Sequence, residues 1–342
     1  MTQHIKRFLR AFSCLLVVSF SNTSFAQDPV YSQYYAQSLH MNPGFTGLSF
    51  APRFEMIYRN QWPLIDKAFA AYVTYGLSYD QFFKNINSGF GIQLMADDAG
   101  GGLLKTIKVA GLYGYQAQIS ESNYLWGGIE LGFVQTNYDW DRFVFGDQID
   151  PIIGPISPGG TPFPTDEIRP DKTNVSYLDI GTGLLYYNPY FNIGVSAKHI
   201  NTPQNDILKV NSSSYNGIPV RWMFHGGMQL DLAKSSRNIS ILSPAFLLVK
   251  QSEFFQLNLG TQYQFSTVFA GLWYRQARNS GDALIGVLGF KKGAWKMGYS
   301  FDFTLSQLGI AQGGSHELSL GLFLGEIRKE KTNINDCFEA FR

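Results

Sequence analysis

Charged side chains recur at alternate positions of several predicted β-strands, where they could form ion pairs or line a selective pore. Because successive side chains of a strand point to opposite faces, these charges must share one face and the intervening apolar residues the other. An enclosed charge is costly unless an opposite charge pairs with it, so the mixed signs favour ion pairs in a packed or plugged interior. A charge-selective pore is the alternative. The candidate residues are Lys108, Glu130, Asp179, Lys198, Arg275, Lys296 and Asp302.

Two further groups of residues could do chemistry, and the sequence favours a structural interpretation of both. Ser315, His316 and Glu317 have the residue types of a hydrolase, but neighbours on a strand face opposite ways. The four aspartates between Asp139 and Asp150 could collect Ca²⁺, yet their spacing lacks the loop glycine and terminal glutamate of an EF-hand. No G-x-S-x-G, HExxH or phosphate-binding glycine motif is present. We therefore predict no catalytic residue, no metal and no cofactor.

The start of the chain has the organisation of a secretory signal peptide. A basic segment that ends at Arg10 precedes a short apolar core, and Ser24-Phe25-Ala26 provides a cleavage site of the small-x-small type. The apolar core is too short for a retained membrane helix. We predict removal of residues 1–26 and a mature chain that begins at Gln27.

Cleavage would change both the charge balance and the cysteine content. It removes Lys6, Arg7 and Arg10, which leaves 24 basic side chains beside 26 acidic ones. This balance gives no electrostatic footprint for nucleic acid. Cys337 would be the only remaining cysteine, so an intramolecular disulfide is excluded.

Residues 295–304 show most clearly which element positions the charges. The odd positions are Trp295, Met297, Tyr299, Phe301 and Phe303, and the even positions are Lys296, Gly298, Ser300, Asp302 and Thr304. A half-buried strand of a soluble protein could also alternate in this way. Here the pattern repeats along the whole chain behind a signal peptide, and no uncharged apolar run is long enough for a membrane helix. We therefore predict an all-β, antiparallel transmembrane barrel, with aromatic side chains toward lipid.

The spacing of the pattern gives about 14 strands of roughly 10 residues each. We place the barrel at residues 50–326 and a charged C-terminal periplasmic tail at 327–342. The stretch 139–174 holds six prolines and must be a long loop, and residues 201–216 form a second polar loop. With the N-terminus in the periplasm, both loops follow odd-numbered strands and are expected to be extracellular.

Residues 27–49 lack strand periodicity and contain turn chemistry in Asn42-Pro43-Gly44. We predict a short N-terminal periplasmic arm at or inside the barrel mouth. Arms and loops that do not build the barrel are the parts free to bind other molecules. The candidate partner contacts are Asn42, Pro43, Trp62, Trp140 and Phe163.

Several segments, taken in order, resemble the PorP/SprF family of outer-membrane proteins from the type IX secretion system of Bacteroidetes. The resemblance covers nearly the whole mature chain. It is carried by QDPVYSQY (27–34), MNPGFTG (41–47), YRNQWP (58–63), SYD (78–80), DDAG (97–100), GVSAKHI (194–200), GLWYR (271–275), GYSFDFTLS (298–306) and SHEL (315–318).

The resemblance implies a barrel of the cell outer membrane without enzymatic activity. Some family members work with the periplasmic secretion and gliding machinery, and others help to export or anchor one very large secreted adhesin. The implied partners are outer-membrane lipid, a large secreted surface protein and periplasmic type IX secretion lipoproteins. A porin-like channel for small solutes is the alternative function, and an outer-membrane hydrolase is a third.

Overall fold

The computed structural model describes residues 28–49, 51–64, 72–205, 217–234, 239–278, 281–305 and 312–324. The predicted signal peptide, the 327–342 tail and Cys337 lie outside these ranges, as do residues 206–216 of the second loop. The described part forms one antiparallel sheet of 15 strand segments. They are β1 (Arg53–Gln61), β2 (Tyr72–Phe83), β3 (Ser88–Ala99), β4 (Leu104–Ser120), β5 (Asn123–Tyr138), β6 (Asn174–Tyr187), β7 (Phe191–Lys198), β8 (Arg221–Met228), β9 (Leu230–Lys234), β10 (Ile239–Gln251), β11 (Phe254–Phe265), β12 (Val268–Ala277), β13 (Gly281–Lys292), β14 (Trp295–Thr304) and β15 (Ser315–Phe323).

The sheet closes on itself because β15 pairs with β1 and β10 pairs with β11. Segments β8 and β9 pair with successive parts of β10 and form one interrupted strand of the wall. Pro244 lies in β10 between these two pairings, and proline has no N–H to donate to a neighbouring strand. The wall therefore contains 14 strands, which confirms the predicted fold and strand count.

The two faces of the wall differ in composition as the alternation predicted. In β14, Met297, Tyr299 and Phe303 are exposed on the outer surface, whereas Ser300 and Asp302 are fully buried on the inner side. Apolar and aromatic side chains cover the outer surface of the other strands in the same way. An apolar outer band with a polar interior is the arrangement that a lipid bilayer requires of a barrel.

The connections distinguish the two ends of the barrel. At one end, here called the turn end, β4 joins β5 and β13 joins β14 through two residues each. The opposite end, here called the loop end, carries residues 139–173 after β5 and residues 199–220 after β7. The 139–173 connection contains two isolated β-bridges and none of the wall strands. None of the helices among the described residues is long and apolar enough to cross a membrane.

Candidate functional site

Residues 28–49, here called the lumen arm, lie inside the barrel. The arm contains one α-helical turn (Ser38–Met41) between two 3₁₀ turns (Tyr34–Gln37 and Pro43–Phe45). Leu39, Met41 and Phe45 are buried in a single apolar cluster with side chains of the inner wall. So short a segment could not cover these apolar residues by itself, and the inner wall covers them instead.

Aromatic contacts and glycines shape the wall around the arm. Tyr34 meets Trp273 edge to face at 5.4 Å between ring centroids, and Tyr35 stacks on the same indole at 5.8 Å. Trp273 and Phe269 are both buried on the inner side of the wall. The inner wall also carries glycines where the arm approaches most closely.

The arm crosses the lumen from the loop end to the turn end. Asp28 Oδ2 lies 2.5 Å from Nε2 of His199, which directly follows β7 at the loop end. The backbone N–H of Gly47 donates to Asp80 Oδ2 at 2.7 Å, close to the turn end of β2. The chain then enters β1 at Arg53, so Asp28 lies toward the loop end and Gly47 toward the turn end.

Four predicted lumen charges meet in one buried group, here called the Lys108 cluster. The ammonium of Lys108 lies 2.6 Å from a carboxylate oxygen of Glu130 and 2.6 Å from one of Asp179. Lys198 contacts the other oxygen of Glu130 at 3.0 Å. His199 joins the cluster through Nδ1, 2.8 Å from Asp179, and its other ring nitrogen contacts Asp28 of the arm. The cluster therefore links four neighbouring strands of the wall, β4 to β7, to the start of the arm.

A second group, the Glu317 cluster, binds the next part of the arm through hydrogen bonds to Ser32 and Gln33. Both carboxylate oxygens of Glu317 accept backbone N–H groups, from Ser32 at 2.7 Å and Gln33 at 2.8 Å. Arg59 pairs with the same carboxylate, and the Ser32 hydroxyl donates to Asp302 at 2.6 Å. Arg275 contacts Asp302 at 2.8 Å. The arm backbone thus completes the hydrogen bonding of a buried carboxylate that also pairs with Arg59 of the wall.

A third group, the Asp80 cluster, holds the far end of the arm. The guanidinium of Arg53 lies 2.8 Å from Asp80 and 3.1 Å from Glu55. Asp80 also accepts the N–H of Gly47, and Glu55 accepts the N–H of Ser38 at 3.3 Å. Buried charges that are paired and also hydrogen-bonded fix one geometry, because moving the arm would leave them unsatisfied.

The structure places six of the seven predicted lumen charges in these clusters. The ammonium of the seventh, Lys296, lies over the rings of Tyr35 and Phe269, 5.9 and 5.5 Å from the ring centroids. The seven charges predicted from the sequence do not include several other charged residues of these clusters. In β1, charged residues alternate with apolar ones just as they do in several other strands. This alternation predicts that Arg53, Glu55 and Arg59 face the lumen. The residues missed are Arg53, Glu55, Arg59, Asp80, His199 and Glu317. Arg221, which lies 3.3 Å from Asp28 beside His199, was also missed.

Asn42 and Pro43 do not have the position expected of partner contacts. The Asn42 amide nitrogen donates to the carbonyl of Leu184 at 3.1 Å and lies 2.9 Å from His225 Nε2, and its oxygen accepts the N–H of Gly44 at 2.7 Å. Both residues are buried against the wall. In this structure the turn anchors the arm to the wall, and a role of Asn42 and Pro43 in binding a partner stays a prediction.

The other three candidates lie at the loop end and are partly exposed. Trp62 follows β1 and meets the ring of Tyr72 at 5.6 Å. Trp140 packs on Phe145 at 4.9 Å, and the carbonyl of Phe163 accepts the Gln148 amide at 2.6 Å. The structure does not bring Trp62 to the other two residues by any described contact. Their role in binding a partner stays a prediction.

The aspartates of the 139–173 loop contact separate partners. Asp141 pairs with Arg169 at 2.7 Å, and Asp147 accepts the N–H of Asp166 at 2.7 Å. This backbone hydrogen bond holds the pKa of the Asp147 carboxyl below its usual value. The carboxylate of Asp150 accepts N–H groups of its own turn. Within the described ranges, no group of three or more His, Cys, Asp or Glu is placed to hold a metal ion.

Ser315, His316 and Glu317 do not converge. Ser315 and Glu317 are buried on the inner side of β15, whereas His316 points outward. The Nδ1 atom of His316 lies 2.8 Å from the Tyr299 hydroxyl on the neighbouring strand. The arrangement matches a hydrogen-bonded surface histidine.

Replacement of Gly128 by alanine should loosen the arm. A Cβ there would lie 2.2 Å from the carbonyl carbon of Pro43, so the arm turn must shift. Overpacking of this kind costs about 1–3 kcal/mol. Gly111→Ala is the matched control, because a Cβ at Gly111 meets nothing within 4 Å. Hydrogen exchange of residues 38–47 should speed up in the first variant only, and equal exchange in both variants would contradict the proposed fit.

Acidification should also weaken the docking of the arm. Burial, with help from the Lys198 and Arg221 charges, holds the pKa of His40 well below its usual value. Neutral His40 lies 3.3 Å from the Pro29 carbonyl through Nε2. A released arm would take up this proton once the pH falls below about 6.5, so the docking free energy is complete above that pH and declines below it.

The pH effect can be measured as hydrogen exchange of the arm at pH 7.5 and pH 5, corrected for intrinsic rates. His40→Gln keeps a side chain that can donate to Pro29 and removes the titration. The wild type should exchange faster at pH 5, whereas His40→Gln should show a smaller dependence. A dependence of the same size in both proteins would exclude His40 as its source.

Comparisons with known proteins gave a family match and several similar solved structures. The profile of the family described as "Type IX secretion system membrane protein PorP/SprF" matches residues 23–322. A search of curated proteins gave no significant match. Similar solved structures include the Ralstonia pickettii toluene transporter TbuX, at 9% identity over 84% of this chain and 93% of that one, with a TM-score of 0.49. The CymD monoaromatic hydrocarbon channel is 13% identical over 85% and 94%, with a TM-score of 0.45. The identities are too low to carry the activity of either protein over to this chain.

The family match extends over most of the chain. It begins just before the lumen arm and ends in β15, so it includes every wall strand and all three charged clusters. The protein therefore belongs to the PorP/SprF family of type IX secretion system membrane proteins and lies in the outer membrane.

Proposed function

We propose that this barrel is a docking component of the type IX secretion system, which binds a secreted adhesin-type surface protein or the periplasmic secretion machinery. In this role it supports export of the surface protein or its anchoring to the cell. The observation that carries the proposal is the lumen arm, which occupies the interior through three buried charged clusters. A filled interior suits a scaffold better than a passive conduit.

The two ends of the barrel offer two docking surfaces. The 139–173 loop presents a large folded surface at the loop end, which we assign to the cell exterior because outer loops are the longer ones in bacterial barrels. The short turns at the other end would face periplasmic secretion lipoproteins. Rigid scaffolds with variable loops commonly bind partners in this way.

A mild-detergent pull-down of the tagged full-length protein from native outer membranes tests the proposal, with mass spectrometry as the readout. Stoichiometric recovery of a large secreted protein or of periplasmic secretion components is the expected result. Recovery of the barrel alone, together with ion conductance in planar bilayers, would replace the proposal with a porin-like channel for small solutes. The mixed lumen charges favour a closed interior over that alternative, because they are buried and paired with one another, as in a packed lumen.

A further inference from the structure

The loop 139–173 holds apolar side chains in solvent at the loop end, away from the apolar band of the wall. Ile152 is 93% exposed and Ile168 is 86% exposed. Ile149, Ile153 and Ile156 are each exposed by half or more. Single exposed apolar residues are ordinary, but Ile149, Ile152, Ile153 and Ile156 lie within eight residues around one bridged turn, and apolar side chains exposed together mark an interaction site. We call these five isoleucines and the loop that carries them the isoleucine platform.

The exposure is a product of the way the loop folds. Asp150 and Gly154 exchange backbone hydrogen bonds of 3.1 and 2.9 Å, and the Asp150 carboxylate accepts the N–H groups of Ile152 and Ile153 at 2.8 and 3.1 Å. These bonds close a tight turn whose polar groups face one another and whose isoleucines face solvent. A second bridge joins Ile156 to Pro162.

Polar groups occupy the interior of the platform instead. Gln148 is buried, donates to the Phe163 carbonyl at 2.6 Å and accepts the Phe145 N–H at 2.9 Å. Loops normally place such side chains outward and apolar ones inward. The reversed arrangement exposes apolar area that a docked partner could remove from water.

The charges around the isoleucines indicate the chemistry of that partner. Residues 139–173 contain seven acidic and three basic side chains, a net charge of −4. Asp166, Glu167 and Asp171 are all exposed. An anionic lipid headgroup surface would be repelled by this excess, whereas a protein surface with lysine or arginine around an apolar centre would complement it.

We infer that the isoleucine platform docks an apolar protein surface that is rimmed by basic residues. The inference rests on the proposed docking function and names the partner chemistry at one of its two surfaces. The isoleucines supply the area removed from water, and the acidic rim sets the charge of the partner.

Selection from a phage-displayed library of random peptides tests the partner chemistry. The full-length protein in lipid nanodiscs serves as bait, and the expected consensus joins apolar residues with lysine or arginine. The double variant Ile152→Ser, Ile168→Ser should bind the selected peptides with about a hundredfold lower affinity. Each isoleucine buried by the peptide contributes about tenfold to the affinity. Ile86→Ser, at the turn end, is the control and should leave binding unchanged.

Charge reversal adds a second arm to the experiment. The double variant Asp166→Lys, Glu167→Lys should lose binding of the basic peptides, and selection on it should yield acidic peptides. Acidic or uncharged peptides on the wild type, or equal binding to the isoleucine variant, would overturn the inference. Flotation with anionic vesicles distinguishes the lipid alternative, and binding to them through the isoleucines would also overturn it.

Failure of the inference and failure of the proposed function give different results. If the isoleucine variant still retains a stoichiometric partner in the pull-down, the platform is not the docking site and the docking function stands. If the wild type retains no partner, the docking function fails, and the peptide selection still decides what the platform binds.

Discussion

Removal of residues 29–47 should turn a barrel that carries no steady current into an open channel. The arm fills the lumen with Leu39, Met41 and Phe45, and its backbone satisfies Glu317 and Asp80. Without the arm, water should hydrate the inner charges. The diameter of a barrel grows with its strand number, and barrels of 16 strands enclose an aqueous channel. A barrel of 14 strands is only slightly narrower, so we expect it to conduct once the arm is removed.

Planar-bilayer recording of purified wild type and deletion variant measures this difference. Heat-modifiable migration on a gel checks that the deletion variant is still a folded barrel. Gly128→Ala offers an intermediate, because it displaces the arm turn without removing it and should give brief openings. A steady conductance in the wild type, or a folded deletion variant that does not conduct, would show that the arm does not close the barrel.

Replacement of Glu130 by alanine should destabilise the barrel more than any surface change. Glu130 is 1% exposed and joins Lys108 and Lys198 across the wall. Its removal leaves two buried ammonium groups near a single remaining carboxylate, that of Asp179. Loss of one partner from a buried charge group costs about 3–5 kcal/mol, because the other charge stays enclosed.

Denaturant unfolding in detergent, followed by tryptophan fluorescence, measures the loss. Glu253→Ala is the matched control, since the Glu253–Arg278 pair is largely exposed and such pairs add little to stability. The Glu130 variant should unfold at a clearly lower denaturant concentration than this control. Coincident unfolding curves would mean that the Lys108 cluster is hydrated and does not stabilise the wall.

The alternation of polar and apolar residues was sufficient to predict the strands of the barrel wall. The inward and outward faces of β14 follow from the two-residue period of a strand, which neighbours in sequence alone decide. The prolines after β5 exclude a strand for an equally local reason, because proline cannot donate to a sheet. The resemblance to the PorP/SprF family, read from ordered short segments, is likewise confirmed.

The identities of the ion pairs needed the closed barrel. Lys108, Glu130 and Lys198 could be assigned to the lumen from their positions, but their pairing depends on which strands lie side by side. The Glu317 cluster is more extreme, because the carboxylate that holds Ser32 lies 285 residues away in sequence. Alternation does not contain such information.

The lumen arm shows the division between sequence and tertiary structure most clearly. Its irregular pattern marked it as a segment outside the wall, and its turn at Asn42 and Pro43 was recognised from residue type alone. Whether that turn faces solvent or the interior depends on the space that Gly128 leaves and on the polar partners of Asn42, all contributed by distant strands. Local sequence therefore marked the arm as separate from the wall, whereas only closure of the barrel created the cavity that buries it.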